Sequence, residues 1–148
     1  MSLLKIIYYP DKRLRKTAKP IKKINKNIIH TIQNMFDTMY FFSGIGLAAT
    51  QVNIHKQIIV IDISKTKNQK LVLINPIILN KHGNIQTQEG CLSIPEKYGI
   101  IPRYKTIKIR AFNQQGEYFE LQTQNLLSIC IQHEMDHLIG KLFIDYLK

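Results

Sequence analysis

The clearest helical periodicity in the chain lies in residues 24–42, INKNIIHTIQNMFDTMYFF. Its apolar side chains return at helical spacing, which places them on one face of a helix. The stretch is followed by Ser43 and Gly44, a pair that favours helix termination. We therefore predict an N-terminal helix that turns these side chains toward the core: Ile24, Ile28, Ile32, Met35, Phe36 and Met39.

Later segments are rich in β-branched and aromatic residues and have the length of strands. In NQQG, Asn113 and Gly116 supply turn chemistry, so we predict a hairpin there. A helix, then strands, then a helix indicates a single α+β domain over residues 1–148, with mostly antiparallel sheets around the last helix. The strand candidates are KQIIVIDIS (56–64), KLVLINPIIL (70–79), GNIQTQEGCLS (83–93), KTIKIRAF (105–112) and EYFELQT (117–123).

The last helix is predicted from TQNLLSICIQHEMDH, residues 123–137, with Thr123 as its N-cap. On an α-helix, residues four apart project about 40° from each other and about 6 Å along the axis. His133 and His137 can therefore reach one metal ion, and Glu134 lies at the edge of the same face. A carboxylate there can hold a water molecule at the metal without being a ligand.

A catalytic site of this kind needs a third protein ligand. The downstream sequence offers none, because Phe143 stands where a third histidine could follow and Asp145 is too close to the end for another helix. Upstream, Cys130 lies on the ligand face but has apolar neighbours, as buried free cysteines usually do. Cys91 follows a glycine where a strand ends or turns, so it is the favoured third ligand. His30, His55 and His82 are interpreted as non-ligands.

The composition adds a formal net charge of +11 and two cysteines. Two cysteines in different settings do not indicate a disulfide framework, and a metal-binding thiolate favours a reducing cytoplasm. No apolar run approaches the roughly 20 residues of a membrane span. Nine basic residues fall within positions 1–26, which leaves two interpretations open, a solvated surface and a phosphate-binding patch. Lysine outnumbers arginine 17 to 4, which favours the first.

Three separated motifs then point to a family. GIGLAATQ (44–51), EGCLS (89–93) and QHEMDH (132–137) resemble the three signature motifs of the peptide deformylases, in the same order. The resemblance covers nearly the whole chain. It implies removal of the N-formyl group from the N-terminal formylmethionine of nascent polypeptides, with release of formate.

The resemblance also implies roles for individual residues. Cys91, His133 and His137 would bind one divalent metal ion, and Glu134 would act as general base and acid while water at the metal attacks the formyl carbonyl. The side chain of Gln51 and the backbone N–H of Leu92 would stabilise the oxyanion. Gln132, Asp136 and Glu89 are hypothesised to orient these groups. The expected substrate-binding residues are Gly44, Ile45, Gly46, Leu126, Ile129 and Cys130.

The metal expected from the resemblance is Fe²⁺, with Ni²⁺, Co²⁺ or Zn²⁺ as substitutes. Many bacterial relatives carry an arginine that helps to hold the substrate backbone where this chain has Tyr98. Many also continue into a C-terminal helix linked with ribosome binding, whereas this sequence reads FIDYLK at residues 143–148. The basic N-terminal stretch is a hypothetical substitute for ribosome association. We expect a cytoplasmic monomer with no membrane partner.

Two other interpretations account for part of the pattern. A general metallopeptidase or amidase shares the histidine motif, and this interpretation predicts cleavage of unformylated peptides and indifference to Cys91. A basic ribosome- or RNA-binding protein with a structural metal site predicts no formate release and binding that weakens steeply with salt.

Overall fold

The computed structural model describes residues 3–147, which form two α-helices and seven strands. Three short 3-10 helices lie at Lys12–Arg15, Ala49–Val52 and Phe143–Tyr146. Across this part of the chain, neither α-helix combines the length and apolar character needed to cross a bilayer. The main elements are α1 (Lys26–Phe41), β1 (Gly46–Ala48), β2 (Ile58–Ile61), β3 (Leu71–His82), β4 (Ile85–Cys91), β5 (Ile94–Arg103), β6 (Thr106–Phe112), β7 (Tyr118–Gln124) and α2 (Asn125–Leu138).

The strands form two antiparallel sheets. Five of them pair in the order β1-β2-β3-β6-β7, and β4 pairs with β5 as a separate hairpin. The predicted hairpin at NQQG joins β6 to β7, with Gly116 at a φ of 80° and its N–H bonded to the carbonyl of Asn113. The α+β class with antiparallel sheets is confirmed.

Strand β2 explains why the central sheet carries a helix on each face. Its residues alternate in direction, so Ile58 and Val60 join a core with α1, while Ile59 and Ile61 join a core with α2. All four residues are buried, which accounts for the continuous apolar run IIVI. The fold therefore holds α2 against the sheet, with His133 and His137 of its ligand motif next to Glu89 and Cys91 of the β4-β5 hairpin.

Several boundaries differ from the sequence prediction. Thr123 belongs to β7, and α2 begins after Gln124, which makes no side-chain cap hydrogen bond; the expected N-cap is therefore wrong. Helix α1 is capped by Asn25, whose side chain accepts from the N–H of Ile28 at 3.0 Å. Strands β1 and β5 were not predicted, and β5 contains two prolines that suit an edge strand but weaken any strand signal.

Candidate active site

Three ligand-grade side chains meet where α2 faces the end of β4. The Sγ of Cys91 lies 3.3 Å from Nε2 of His137, and the ligand atoms of Cys91, His133 and His137 all lie within 4.8 Å of one another. One thiolate and two imidazoles form a donor set that suits Zn²⁺ and other transition metals. The helical spacing of the histidines supplies one side of this group, and the turn after β4 supplies the other.

Gln51 is held against the thiolate side of the group. Its Oε1 accepts from the N–H of Ala48 at 2.9 Å, which turns Nε2 toward Sγ of Cys91 at 3.4 Å and Oγ of Ser93 at 3.1 Å. Gln51 is buried, in the 3-10 helix that follows β1. Leu92, between the two residues that Gln51 contacts, is the first residue of the turn to β5, so its backbone borders the same point.

A buried carboxylate fixes the orientation of His133. Nδ1 of His133 lies 2.9 Å from Oε1 of Glu89, an arrangement that leaves Nε2 free to bind a metal. Arg103 donates to both oxygens of Glu89 at 2.8 Å and to Oδ2 of Asp136 at 2.8 Å. The hydroxyl of Tyr146 donates to the same Asp136 oxygen at 2.9 Å.

Charge balance in this network keeps Glu89 ionised. Burial alone would raise the pKa of Glu89, but hydrogen bonds from Arg103 and His133 outweigh burial, so the pKa lies below its ordinary value. The two acidic neighbours of Arg103, Glu89 and Asp136, raise its pKa in spite of burial. Burial, together with the nearby His133, lowers the pKa of His137.

Glu134 lies beside the ligand group and is only 5% exposed. Burial raises its pKa to about 7, the range in which a carboxyl group can both take and return a proton. Within residues 3–147 its Oε1 is buried without a hydrogen-bond partner, and so is Nδ1 of His137. A buried, unpartnered carboxylate oxygen next to three candidate metal ligands fits a site in which a metal and its water bind.

A pocket of about 670 Å³ opens onto these residues. It is lined by all six expected substrate-binding residues, as well as Leu92, Glu134 and two of the ligands, Cys91 and His133. It is also lined by Tyr8, Phe42 and Tyr98. Segment 43–45 forms part of one wall, and the N–H of Asp62 fixes its position by donating to the carbonyl of Ile45 at 2.9 Å. The lining residues that were expected to bind substrate are these six: Gly44, Ile45, Gly46, Leu126, Ile129 and Cys130.

Cys130, the competing ligand candidate, lies in the wall of this pocket and outside the three-ligand group. Burial, together with the charge of Glu134, raises the pKa of its thiol to about 12. A thiol with such a pKa remains protonated and does not favour metal binding. Among residues 3–147, the group of three ligands also leaves out His30, His55 and His82.

Sequence reasoning missed three contributors to the site. Ser93 lies within the EGCLS motif, which assigns it no role, and Arg103 and Tyr146 lie outside all three motifs. An arginine inside an otherwise apolar strand end, IIPR, is the one signal that indicated a buried charge partner. Gln132 was assigned an orienting role that it does not have, because its side chain binds the backbone N–H and carbonyl of Tyr104.

The fold and the histidine motif together define a metal-dependent hydrolase of the H-E-x-x-H type, and Cys91 completes a group that could hold the metal. The family model described as "Polypeptide deformylase" matches residues 3–148. The peptide deformylase of Baumannia cicadellinicola subsp. Homalodisca coagulata is 61% identical over 147 residues, which are 99% of this chain and 88% of that protein. The chain therefore belongs to the peptide deformylase family.

Solved structures agree with this assignment. A peptide deformylase from Legionella pneumophila superposes with a TM-score of 0.97 at 42% identity, covering 99% of this chain and 87% of that one. A peptide deformylase from Synechococcus elongatus in complex with actinonin gives a TM-score of 0.94 at 44% identity, covering 97% and 79% of the two chains. The family consists of metal-dependent hydrolases that remove the N-formyl group from nascent polypeptides.

Proposed function

We propose that this chain, acting as one catalytic domain over residues 1–148, hydrolyses the formyl group of formylmethionine on nascent peptides by means of the residues described above. The observation that carries the proposal is that Cys91, His133 and His137 form one group at an apolar pocket, which Cys91, His133 and the buried Glu134 line. The products are formate and a peptide with a free α-amino group. Since nascent chains are the substrate, we propose the cytoplasm as the site of action.

Cys91, His133 and His137 would hold one divalent ion. When bound, the ion supplies a Lewis acid that polarises a carbonyl and lowers the pKa of a water molecule. We propose Fe²⁺ as the native ion, on family resemblance, with Ni²⁺, Co²⁺ or Zn²⁺ as substitutes. Chains loaded anaerobically with Fe²⁺ should lose activity on exposure to air, while Zn²⁺-loaded chains should keep theirs. Equal stability of the two forms in air would contradict the choice of iron.

Glu134 would carry the proton through the reaction. It takes a proton from the attacking water as the new C–O bond forms, and it returns a proton to the nitrogen as the C–N bond breaks. Two properties support this role: its pKa of about 7 and the Oε1 atom without a partner in the described residues. The carboxylate therefore ends the cycle in the state in which it began.

Gln51 and Leu92 would stabilise the oxyanion. The Nε2 group of Gln51 points toward Cys91 because Oε1 is fixed by Ala48, so it is organised before the substrate arrives. A neutral amide donates without competing for the proton, which suits a site where negative charge develops. The backbone N–H of Leu92, in the turn that Gln51 contacts, would be the second donor.

The pocket would bind the methionine side chain. Leu126, Ile129 and Cys130 line the pocket from α2, and Ile45 adds a fourth apolar side chain to its lining. Strand β1 is an edge of the five-stranded sheet, so its free edge at Gly46 is available to pair with an extended peptide, and Gly44 just before it lines the pocket. An edge strand next to the ligand group would hold the peptide with its formyl end directed inward.

Formate release from a formyl-Met peptide tests the proposal. Anaerobic Fe²⁺-loaded wild type is compared with Cys91→Ser, Cys130→Ser and Glu134→Ala, and metal content is measured in each. Wild type and Cys130→Ser should turn over, Cys91→Ser should lose its metal, and Glu134→Ala should keep metal without activity. Cleavage of unformylated peptides, or a fully active Cys91→Ser variant, would favour a general metallopeptidase instead.

Association with the ribosome through the basic N-terminal stretch, by a monomer, is part of the same proposal. Lys22 and Lys23 precede α1 and are exposed, so they are available to phosphates. Co-sedimentation with ribosomes is measured for wild type and for a variant with both lysines replaced by glutamate. Unchanged sedimentation would exclude this surface, and the formate assay would remain independent of the result.

A further inference from the structure

The outer part of the pocket has a rim of large apolar side chains that are exposed to solvent. Tyr98 is the most exposed of them, at 64%. Contiguous exposed apolar groups usually mark a surface that binds something. The other exposed members of the rim are Tyr8, Phe42, Ile45 and Leu126.

Tyr98 is brought close to the ligand group by Gly90. A Cβ at Gly90 would lie 2.8 and 2.9 Å from Cε1 and Cδ1 of the Tyr98 ring, so the ring edge packs directly on the glycine backbone. Gly90 immediately precedes Cys91, and consecutive Cα atoms are about 3.8 Å apart. The ring therefore lies close enough to Cys91 to contact a residue one or two positions from the reacting end of a bound peptide.

The strand that carries Tyr98 extends this apolar surface. Side chains alternate along a strand, so Ile100 projects to the same side as Tyr98, and it is 63% exposed. Ile100 pairs with Gln88, a neutral residue of β4. Together Tyr98 and Ile100 form an exposed apolar surface, the ledge, that leads from the pocket along the β4-β5 hairpin.

The occupant of the ledge follows from its continuity with the pocket. If the formyl group reaches Cys91 and the methionine fills the inner pocket, the rest of the peptide leaves over the rim. The rim carries one acid and one base, Glu96 and Lys97, so its own charges do not select a charged residue. The net charge of +11 disfavours basic peptides.

We propose that Tyr98 is a specificity-determining residue that favours large apolar or aromatic side chains in the first two residues after formylmethionine. This inference rests on the proposed deformylase activity. An aromatic contact of this kind changes kcat/KM by roughly 3- to 10-fold. Peptides that continue with leucine or phenylalanine are thus preferred over peptides that continue with serine, aspartate or lysine.

The test uses two peptide sets, formyl-Met-Xaa-Ala and formyl-Met-Ala-Xaa, with Xaa as Leu, Phe, Ser, Asp or Lys. The kcat/KM ratio of Phe to Ser peptides is measured by formate release for wild type, Tyr98→Ser and Tyr98→Phe. Tyr118→Ser is the matched control, because Tyr118 is an exposed tyrosine on β7 that packs on Phe112 and does not line the pocket.

Wild type, Tyr98→Phe and Tyr118→Ser should share a preference for apolar peptides in at least one set, and Tyr98→Ser should lose it. Equal rates for all peptides with wild type, or a preference that survives in Tyr98→Ser, would overturn the assignment while the deformylase activity stands. Faster turnover of lysine peptides would also overturn it. Absence of formate with every peptide would instead refute the proposed function.

Discussion

Replacing Gly46 by alanine tests whether the position of Glu134 depends on a missing side chain. A Cβ on Gly46 would lie 2.6 Å from Oε2 of Glu134 and 3.2 Å from its Cγ and Cδ atoms. Ordinary contacts begin near 3.4 Å, so the carboxylate has to retreat by about 0.8 Å. Gly46, in β1, pairs with Ile61 in β2, and its φ is not positive, so an alanine at this position adds no backbone strain.

The expected loss follows from the displacement. A misplacement of about 1 Å in a catalytic group lowers the rate by about 100-fold. This factor corresponds to about 2.7 kcal/mol of transition-state stabilisation. Gly46→Ala should therefore lower kcat for formate release by roughly 30- to 100-fold, while metal content and the urea midpoint of unfolding stay close to those of wild type.

A double-mutant comparison separates this effect from a general disturbance of the pocket. In a Glu134→Ala background the carboxylate is absent, so Gly46→Ala should cause little further loss of the residual rate. Additive losses in the two backgrounds would refute the reasoning. So would a Gly46→Ala enzyme with normal activity, because the added methyl group could then be accommodated without moving Glu134.

Three other predictions concern stability. Arg103→Met leaves Glu89 buried without its bidentate partner and should lower the free energy of unfolding by about 3–5 kcal/mol in urea titrations. Arg110→Met, at an exposed position of β6, should change it little, and equal effects would contradict a special role for the buried pair. Burial would raise the pKa of Asp62, but hydrogen bonds from Ser64 and Tyr40, together with backbone donors, outweigh it and lower the pKa. The Asp62 carboxylate therefore stabilises the folded state at pH values above its ordinary pKa of 3.8, and this stabilisation is lost as the pH falls through its lower pKa in the folded state. Asp62→Asn should reduce the fall in stability across that acid range, and an unchanged dependence of stability on pH would exclude this contribution. Tyr146→Phe removes one hydrogen bond to a carboxylate and should destabilise by about 1.5–3 kcal/mol in thermal or urea unfolding, a loss that should disappear when Asp136 is also neutralised.

The sequence predicted the elements with regular patterns and missed those whose stability comes from pairing. Helix α1 and strands β2, β3, β4, β6 and β7 follow from apolar periodicity and turn residues. Strand β5 contains Pro95 and Pro102, so its own residues do not indicate a strand. It forms because β4 offers a partner and because Ile94 and Ile101 pack on the C-terminal segment.

The same limit applies to the site. His133 and His137 share one helix, so their approach to each other could be derived from spacing alone. The contacts of Arg103 with Glu89 and Asp136 span 14 and 33 residues, and they depend on a strand register that no local pattern encodes. Cys91 was predicted as the third ligand from its motif and its surroundings. Its Sγ atom lies within 4.8 Å of a ring nitrogen of each histidine.

The chain order of the ligands has a consequence for the synthesis of the enzyme. The proposed thiolate ligand, Cys91, comes from the hairpin in the middle of the sequence, whereas both proposed imidazole ligands lie on α2, the last α-helix of the described chain. During translation, the sheet and the hairpin can emerge and pair before either histidine has left the ribosome. A nascent fragment that stops before His137 lacks one of the three proposed ligands, so the full ligand set forms only after this residue has been added and α2 has folded.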